Sequence, residues 1–303
     1  MLLCPTVLAA VGGCVANGAQ FVGCLYIATE ATSPGGRVPD RNDPKVIKQR
    51  FVRVAIASVI APFVMVFYSS LPGGGGGGGE CLSLPLVRAF GLWSASFYRA
   101  ALAPLALTMW LFLGPLLTMW LDRDRYTPLW TQLKRQVQGE HARLQLTRNL
   151  VVGPLAEEWV FRACMCPMLH AAGLSDGTSV FVAAVTFGAS HIHHRFDGGM
   201  PWLAVAFQFT YTSLFGAYSA YLFLRTGLVI GPLLAHAFCN SMGVPDFGGI
   251  ASHPQSTLVA AVYVLGLGGF IALVTVDAIY HPPLFGSLFW NEVSSVAVGS
   301  GAR

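Results

Sequence analysis

The sequence predicts an all-α fold, a polytopic membrane helix bundle of about eight transmembrane helices. Two observations carry this prediction. Hydrophobic residues make up 54% of the chain and charged residues only 11%, whereas soluble domains average about 25% charged residues. Apolar runs of the length that crosses a bilayer, about 20 residues, also recur along the whole chain. These runs leave no room for a separate soluble domain, so residues 1–303 are interpreted as a single membrane domain.

Eight apolar runs are interpreted as the membrane spans. The first run has no basic residues before it and continues past Tyr26, which favours a membrane helix over a cleaved signal peptide. Residues 82–121 are too many for one span, and Arg88 and Arg99 interrupt their first half, so an interfacial segment is expected before the third span. The spans are predicted at about residues 3–28, 51–71, 102–121, 150–170, 179–191, 201–224, 228–244 and 258–279.

Residues 72–80 and the cysteines give two further expectations. The segment 72–80 begins with a proline and seven consecutive glycines, a low-complexity sequence that predicts a flexible loop. The chain has seven cysteines, an odd number, with no spacing typical of a disulfide framework or a zinc ribbon. The cysteines are therefore expected to be small buried hydrophobes.

Two loops carry most of the basic residues. Three predicted spans precede the second of these loops, so both lie on the same side of the membrane, and the positive-inside rule makes that side cytosolic. Because the cations gather in loops rather than in a stripe, the net charge of +4 does not indicate nucleic-acid binding. The first loop holds Arg37, Arg41, Lys45, Lys48 and Arg50, and the second holds Arg123, Arg125, Lys134, Arg135, Arg143 and Arg148.

Three charged residues interrupt the fourth apolar run. Each ionisable group inside a span costs about 2.5–3.5 kcal/mol on insertion scales, which makes such groups candidates for function. Glu158 and Arg162 are four residues apart and share a helix face, so they are expected to pair. Glu157 points about 100° away around the helix and is left as a candidate general base. The alternative is a purely stabilising charge cluster between helices, an interpretation that suits Glu158 and Arg162 better than Glu157.

Two histidines and an amide lie in other apolar runs. His191 follows Phe187 at the end of the fifth run, and His236 and Asn240 share one face of the seventh. Taken singly, they are also explained as a helix-end residue and an interhelical hydrogen bond. Taken with Glu157, they supply a carboxylate and an imidazole that can polarise water, and a second imidazole and an amide that can stabilise an oxyanion.

These residues form three ordered motifs that resemble a known family. The run Glu157-Glu158-x-x-x-Arg162, then Phe187-x-x-x-His191, then His236-x-x-x-Asn240 is similar to the type II CAAX prenyl endopeptidases, the Ras-converting branch of the intramembrane glutamate proteases. The similarity is densest over residues 149–245 and extends more weakly over most of the chain. Further matching segments are Phe161–Met165, Phe207–Phe209, Phe215–Tyr218, Arg225–Gly227 and Ile230–Pro232.

The resemblance implies one membrane protease domain in the endoplasmic reticulum membrane, with an active site that is accessible from the cytosol. Its substrates would be farnesylated or geranylgeranylated CAAX proteins such as Ras-type small GTPases, and the enzyme would remove their last three residues without a cofactor or a metal. By the same resemblance, Glu157 and His191 would activate water, and His236 and Asn240 would form the oxyanion site. Glu158, Arg162 and Phe187 would be supporting residues.

Other chemistries stay open. Glu157, His191 and His236 could ligate zinc, although the chain contains no His-Glu-x-x-His motif. Ser190 and Cys239 adjoin His191 and Asn240, but sequence neighbours on a helix point apart and do not form a nucleophile–base pair. A transporter or scaffold could also use intramembrane charges, although no internal repeat is evident.

Overall fold

A computed structural model describes residues 2–26, 40–71, 82–83, 85–123, 139–197, 199–275 and 285–290. The described chain is helical apart from one short antiparallel pairing of β1 (Leu2–Leu3) with β2 (Leu82–Ser83), which confirms the predicted all-α class. The predicted glycine loop, residues 72–80, lies outside the described residues.

The described helices follow the order of the apolar runs. They are α1 (Val7–Tyr26), α2 (Pro44–Ser69), α3 (Leu86–Ala89), α4 (Phe97–Leu111), α5 (Leu113–Leu121), α6 (Glu140–Thr147), α7 (Gly153–Glu158), α8 (Met165–Ala171), α9 (Asp176–Ala189), α10 (His194–Asp197), α11 (Trp202–Thr226), α12 (Ile230–Met242) and α13 (Ser256–Thr275). Two π-helical segments, π1 (Arg148–Val152) and π2 (Trp159–Cys164), join α6, α7 and α8 into one broken helix.

Several helices can cross a membrane. Among the described residues, α1, α2 and α13 are long and apolar enough to do so, and the bent pair α4–α5 can act as a fourth span. The protein is therefore a multi-pass membrane protein. The other predicted spans are also helical, but α9 has only 14 residues and α12 only 13; α9 packs against α11, and α12 packs against α4.

The third predicted span differs from its expected form. It begins at Phe97 rather than near residue 102, and α4 and α5 meet at an angle of 66°. Pro115 explains the bend, because a proline has no N–H for the carbonyl four residues earlier, here that of Leu111. Arg99, expected in an interfacial segment, lies within the first turn of α4.

The broken helix from Glu140 to Ala171 runs through the centre of the bundle. Each π segment contains a carbonyl whose α-helical donor, the N–H four residues later, is missing because that residue is a proline. Pro154 lies four residues after Leu150, and Pro167 lies four residues after Ala163. Gly153 instead donates its backbone N–H to the carbonyl of Arg148, five residues earlier. Every residue from Val160 to Leu169 is buried, so the second half of this helix forms the core.

The two basic segments meet at one end of the bundle. Arg148 donates a hydrogen bond to the backbone carbonyl of Arg41 over 2.8 Å, and Lys48 forms an ion pair with Glu140. The segment before α2 and the segment that begins the broken helix therefore share a side, in agreement with the topology argued from charge.

The cysteines depart from expectation at one position. Cys14, Cys24, Cys164 and Cys166 are buried free thiols, and Cys239 is a partly buried one. Cys4, directly after β1, is disulfide-bonded. The expectation that all seven cysteines are buried small hydrophobes is therefore wrong for Cys4.

Candidate active site

Glu158 is the buried centre of the site. Its side chain has no exposed surface, and its carboxylate is held by three side chains. Arg162 forms the predicted ion pair, with Nε 3.2 Å from Oε2. Ser219 of α11 donates a hydrogen bond to Oε2 over 2.5 Å, and His236 of α12 donates from Nδ1 to Oε1 over 2.7 Å. A buried charge is tolerated when it is paired and hydrogen-bonded in this way.

His236 lies between the two adjacent glutamates. Because an ionised carboxylate only accepts hydrogen bonds, Nδ1 of His236 carries the proton shared with Glu158, and Nε2 is presented to the other side. There Nε2 lies 3.8 Å from Oε2 of Glu157, close in space but beyond a direct hydrogen bond. The Phe215 ring packs against the imidazole at a centroid distance of 4.7 Å and fixes its plane.

Glu157 differs from Glu158 in its surroundings. Its side chain keeps 23% of its surface exposed, whereas that of Glu158 keeps none. The predicted division between a paired glutamate and an available one is therefore present in the geometry. The charged neighbours that act on Glu157 are His236, Glu158, Arg162 and His193.

His191 follows the end of α9, and Phe187 links it to the other groups. Its Nδ1 lies 2.9 Å from the backbone carbonyl of Phe187. Since a carbonyl only accepts, Nδ1 is the donor, and Nε2 of the neutral ring is left with its lone pair. The Phe187 ring lies 4.9 Å from the His191 ring, 6.3 Å from the His236 ring and 4.3 Å from the guanidinium carbon of Arg162. Phe187 is thus a shared neighbour of three predicted site residues.

Asn240 lies one turn after His236 and is attached to the broken helix. Its Nδ2 donates to the backbone carbonyl of Asn149 in π1 over 2.9 Å. A primary amide has two N–H groups, so one remains to donate elsewhere. The Asn240 side chain is exposed and lies nearer the basic end of the bundle than the Glu158 network does.

Sequence reasoning missed Ser219 as a site residue and gave Phe215 only as part of a segment that resembles the family. Both lie on α11, where Thr212, Gly216 and Ser219 recur every three or four residues and are buried. This stripe of small and polar residues in an apolar helix was the available signal, because membrane helices use such residues at their interfaces. Arg162 also contacts the stripe, donating to the backbone carbonyl of Gly216 over 3.4 Å.

The described residues contain no group of three or more His, Cys, Asp or Glu side chains arranged to hold a metal ion. Glu157, His191 and His236, the candidate zinc ligands, do not form such a group. Whether the reaction proceeds without a metal stays a prediction.

Comparison with known proteins gives a consistent result. A family described as type II CAAX prenyl endopeptidase Rce1-like matches residues 139–242, a range that includes all seven predicted site residues. Human CAAX prenyl protease 2 is 39% identical over 288 residues, covering 91% of this chain and 82% of the human protein.

The rat and Arabidopsis thaliana relatives carry the same description. The rat protein is 35% identical over 91% of this chain and 81% of its own length. The Arabidopsis protein is 30% identical over 93% of this chain and 91% of its own length. No solved structure matches the chain. The extent and identity of these matches establish that the chain belongs to the type II CAAX prenyl endopeptidases, a family of hydrolases.

Proposed function

We propose that this CAAX endopeptidase removes the C-terminal tripeptide of prenylated proteins with a water molecule activated by Glu157 and His191, without a metal. The observation that carries the proposal is the row Glu157, His236 and Glu158, in which one imidazole lies between a partly open carboxylate and a fully buried one. Such a row can accept a proton from water and stabilise the charge that develops on the substrate.

The chemical step follows from this geometry. Glu157 and the lone pair of His191 Nε2 accept hydrogen bonds from water, and Glu157 takes its proton as the oxygen attacks the carbonyl of the prenylcysteine. The oxyanion that forms needs donors. His236, held by Glu158 through Nδ1 and facing Glu157 through Nε2, is one of the proposed donors. The second N–H of Asn240 is the other donor. Collapse of the tetrahedral intermediate breaks the C–N bond, and Glu157 returns the proton it took from water to the leaving amine of the tripeptide.

The substrates are farnesylated or geranylgeranylated CAAX proteins, including Ras-type small GTPases. The family assignment supports this substrate class, and the apolar faces of the helices suit a lipid chain that stays in the bilayer. Eight spans are proposed, with α9 and α12 as the short ones.

The proposed location is the endoplasmic reticulum membrane, with the site open to the cytosol. The contact between Asn240 and Asn149 supports this orientation, because Asn149 adjoins Arg148 at the basic end of the bundle. That end is cytosolic by the positive-inside rule.

Substitution of Glu157 tests the proposal. Purified Glu157→Gln and His191→Ala are expected to lose more than 99% of the cleavage of a farnesylated CAAX peptide, because neither can complete the activation of water. Mass spectrometry of the released tripeptide measures cleavage. The matched control is Glu140→Gln, on the same broken helix but 69% exposed and paired with Lys48, which is expected to cleave at the wild-type rate.

The controls also separate the competing chemistries. A chelator is expected to leave the rate unchanged, and Ser190→Ala and Cys239→Ala are expected to stay active. Normal cleavage by Glu157→Gln would refute the role of Glu157. Loss of activity with chelator and its return with zinc would establish the metalloprotease, and binding of the prenylated peptide without cleavage by the wild type would favour a scaffold.

A further inference from the structure

An exposed guanidinium lies at the basic end of the bundle near the site. Arg41 belongs to the turn just before α2, and its side chain is exposed. Within the described residues, its guanidinium forms no hydrogen bond or ion pair. Its backbone, by contrast, is held: Arg148 donates from Nη1 to the Arg41 carbonyl over 2.8 Å and from Nη2 to Oδ1 of Asn42 over 3.2 Å. The turn is therefore fixed while the Arg41 side chain is available.

Positive charge is in excess around this turn. Burial lowers the pKa of Arg148, and the neighbouring guanidiniums of Arg41 and Arg50 lower it further, with Asp40 acting in the opposite direction. The hydrogen bonds that Arg148 forms with described residues all end on neutral acceptors, since the third goes to Oδ1 of Asn149.

The acidic residues nearby are already engaged. Asp43 caps α2 by accepting from the backbone N–H groups of Lys45 and Val46. Asp40 accepts from the backbone N–H of Asn42, and Glu140 is paired with Lys48. An anion that approaches this turn therefore meets basic side chains, because the nearby carboxylates already accept hydrogen bonds or form an ion pair.

This turn is connected to the proposed catalytic groups. Tyr211 of α11 lies within the electrostatic range of both Glu157 and Arg41. Arg148, which holds the turn, precedes Asn149, the residue whose carbonyl accepts from Asn240. Arg148 and Glu157 lie nine positions apart on the same broken helix.

The substrate carries an anion close to the bond that is cut. Beyond the bond that is cut, a CAAX protein has three more residues and then a free α-carboxylate. Three extended residues span about 10–11 Å. We propose that Arg41, on the turn held by Arg148, binds the C-terminal α-carboxylate of the substrate. An arginine fork suits a carboxylate because it can form two parallel hydrogen bonds.

This inference rests on the proposed function and explains why a tripeptide is released. In this arrangement, with Glu157 at the scissile carbonyl and Arg41 at the terminus, the released segment ends at the arginine. A peptide whose terminus is neutral, or is displaced by an added residue, loses that contact.

Two farnesylated CAAX peptides test the proposed role of Arg41. One peptide ends in a free carboxylate, and the other ends in an amide. Wild-type kcat/KM is expected to be about tenfold higher for the acid, a factor within reach of one charge-assisted hydrogen bond. Arg41→Ala is expected to bring this ratio close to one by lowering kcat/KM for the acid alone. Arg41→Lys is expected to give an intermediate ratio, because it keeps the charge and loses the fork.

Lys48→Ala is the matched control. It removes a cation from the same end of the bundle, but one already paired with Glu140, and is expected to keep the tenfold ratio. Arg41→Ala keeps the backbone carbonyl that Arg148 binds, so its fold is expected to be intact.

The possible results distinguish failure of the Arg41 assignment from failure of the proposed function. Equal wild-type rates on the acid and the amide, or an equal loss on both with Arg41→Ala, would overturn the assignment of Arg41 while leaving the proposed function standing. Failure of the wild type to cleave either peptide would refute the proposed function itself, and this inference with it.

Discussion

The carboxylate of Glu158 is the residue on which the positions of the other groups depend. It accepts hydrogen bonds from Ser219 and His236 and pairs with Arg162, all in buried surroundings. Removing one partner of a buried ion pair typically costs about 3–5 kcal/mol, because the other charge is left uncompensated. A motif member predicted only to support catalysis therefore orients the imidazole that faces Glu157.

Ser219 provides a test of this orienting role. Ser219→Ala is expected to lower kcat about tenfold with little change in KM, since Ser219 does not touch the substrate but holds the acceptor of His236. The lost hydrogen bond to a charged acceptor is also expected to destabilise the fold by about 1–3 kcal/mol, which a thermal denaturation in detergent would measure.

Ser219→Thr is the matched control. It keeps the hydroxyl and is expected to recover most of the wild-type kcat. A Ser219→Ala enzyme with normal kcat and reduced stability would show that the hydroxyl serves the fold alone.

Individual site residues were predictable where their burial in a membrane helix costs free energy. Glu157, Glu158 and Arg162 stood out because charges are rare in apolar helices, and the Glu158–Arg162 pair followed from their spacing. The bond from Asn240 to the backbone of Asn149 did not follow, because no local pattern reveals a carbonyl that π1 leaves available. Ser219 was missed for a related reason: a single hydroxyl carries little signal by itself.

At the scale of helices, the position of His191 depends on how closely α9 approaches α11. Gly188 and Gly216 lie in this contact. A Cβ on Gly188 would lie 2.0 Å from Oγ of Ser213 and 3.0 Å from the carbonyl of Phe209, and one on Gly216 would lie 3.2 Å from Cα of Ala184. The two helices therefore pack backbone against backbone, as small residues allow in membrane proteins.

Gly188→Ala is expected to separate the two helices and move His191, which lies one turn further on. A displacement of about 1 Å at a catalytic group can lower a rate about 100-fold, so kcat/KM on a farnesylated CAAX peptide is expected to fall by about that factor. Gly177→Ala, on the same α9, is the matched control, since a Cβ there meets nothing within 4 Å. Equal activity of the two variants would contradict this role for the close approach.

The order and type of the helices were predictable because hydropathy and length report them directly. Their irregularities were less so. Pro115 indicated a break within the third span, because it removes the N–H donor for the carbonyl of Leu111. By contrast, the short lengths of α9 and α12 follow the short apolar runs predicted at residues 179–191 and 228–244.

At the scale of the whole molecule, Cys4 bears on orientation. It is disulfide-bonded, and disulfides persist in oxidising compartments such as the lumen of the endoplasmic reticulum. The segment before α1 would then be lumenal, which agrees with a cytosolic side assigned from Arg41, Lys48 and the other basic residues after α1. In the proposed endoplasmic reticulum membrane, the disulfide and the basic residues thus support the same orientation.

Mass-tag alkylation of the denatured protein tests this orientation. Reduction before alkylation is expected to add two tags to the wild type and none to Cys4→Ser. In sealed vesicles, a membrane-impermeant reductant is expected to leave the bond intact; its reduction there would place Cys4 on the cytosolic side and reverse the assigned topology.

The two π segments also affect how relatives of this chain are aligned. A π turn holds more residues than an α turn, so a helical wheel drawn at a constant 100° per residue falls out of phase after Arg148 and again after Trp159. The face on which a residue of α8 lies cannot be extrapolated from the faces of α6. A new helical wheel has to begin at Gly153 and another at Met165. A homologue that lacks one residue between positions 148 and 152 could regain a regular helix by rotating the segment before π1, with its paired glutamates still facing the imidazole. A one-residue gap at that place in an alignment is therefore no sign of an inactive enzyme.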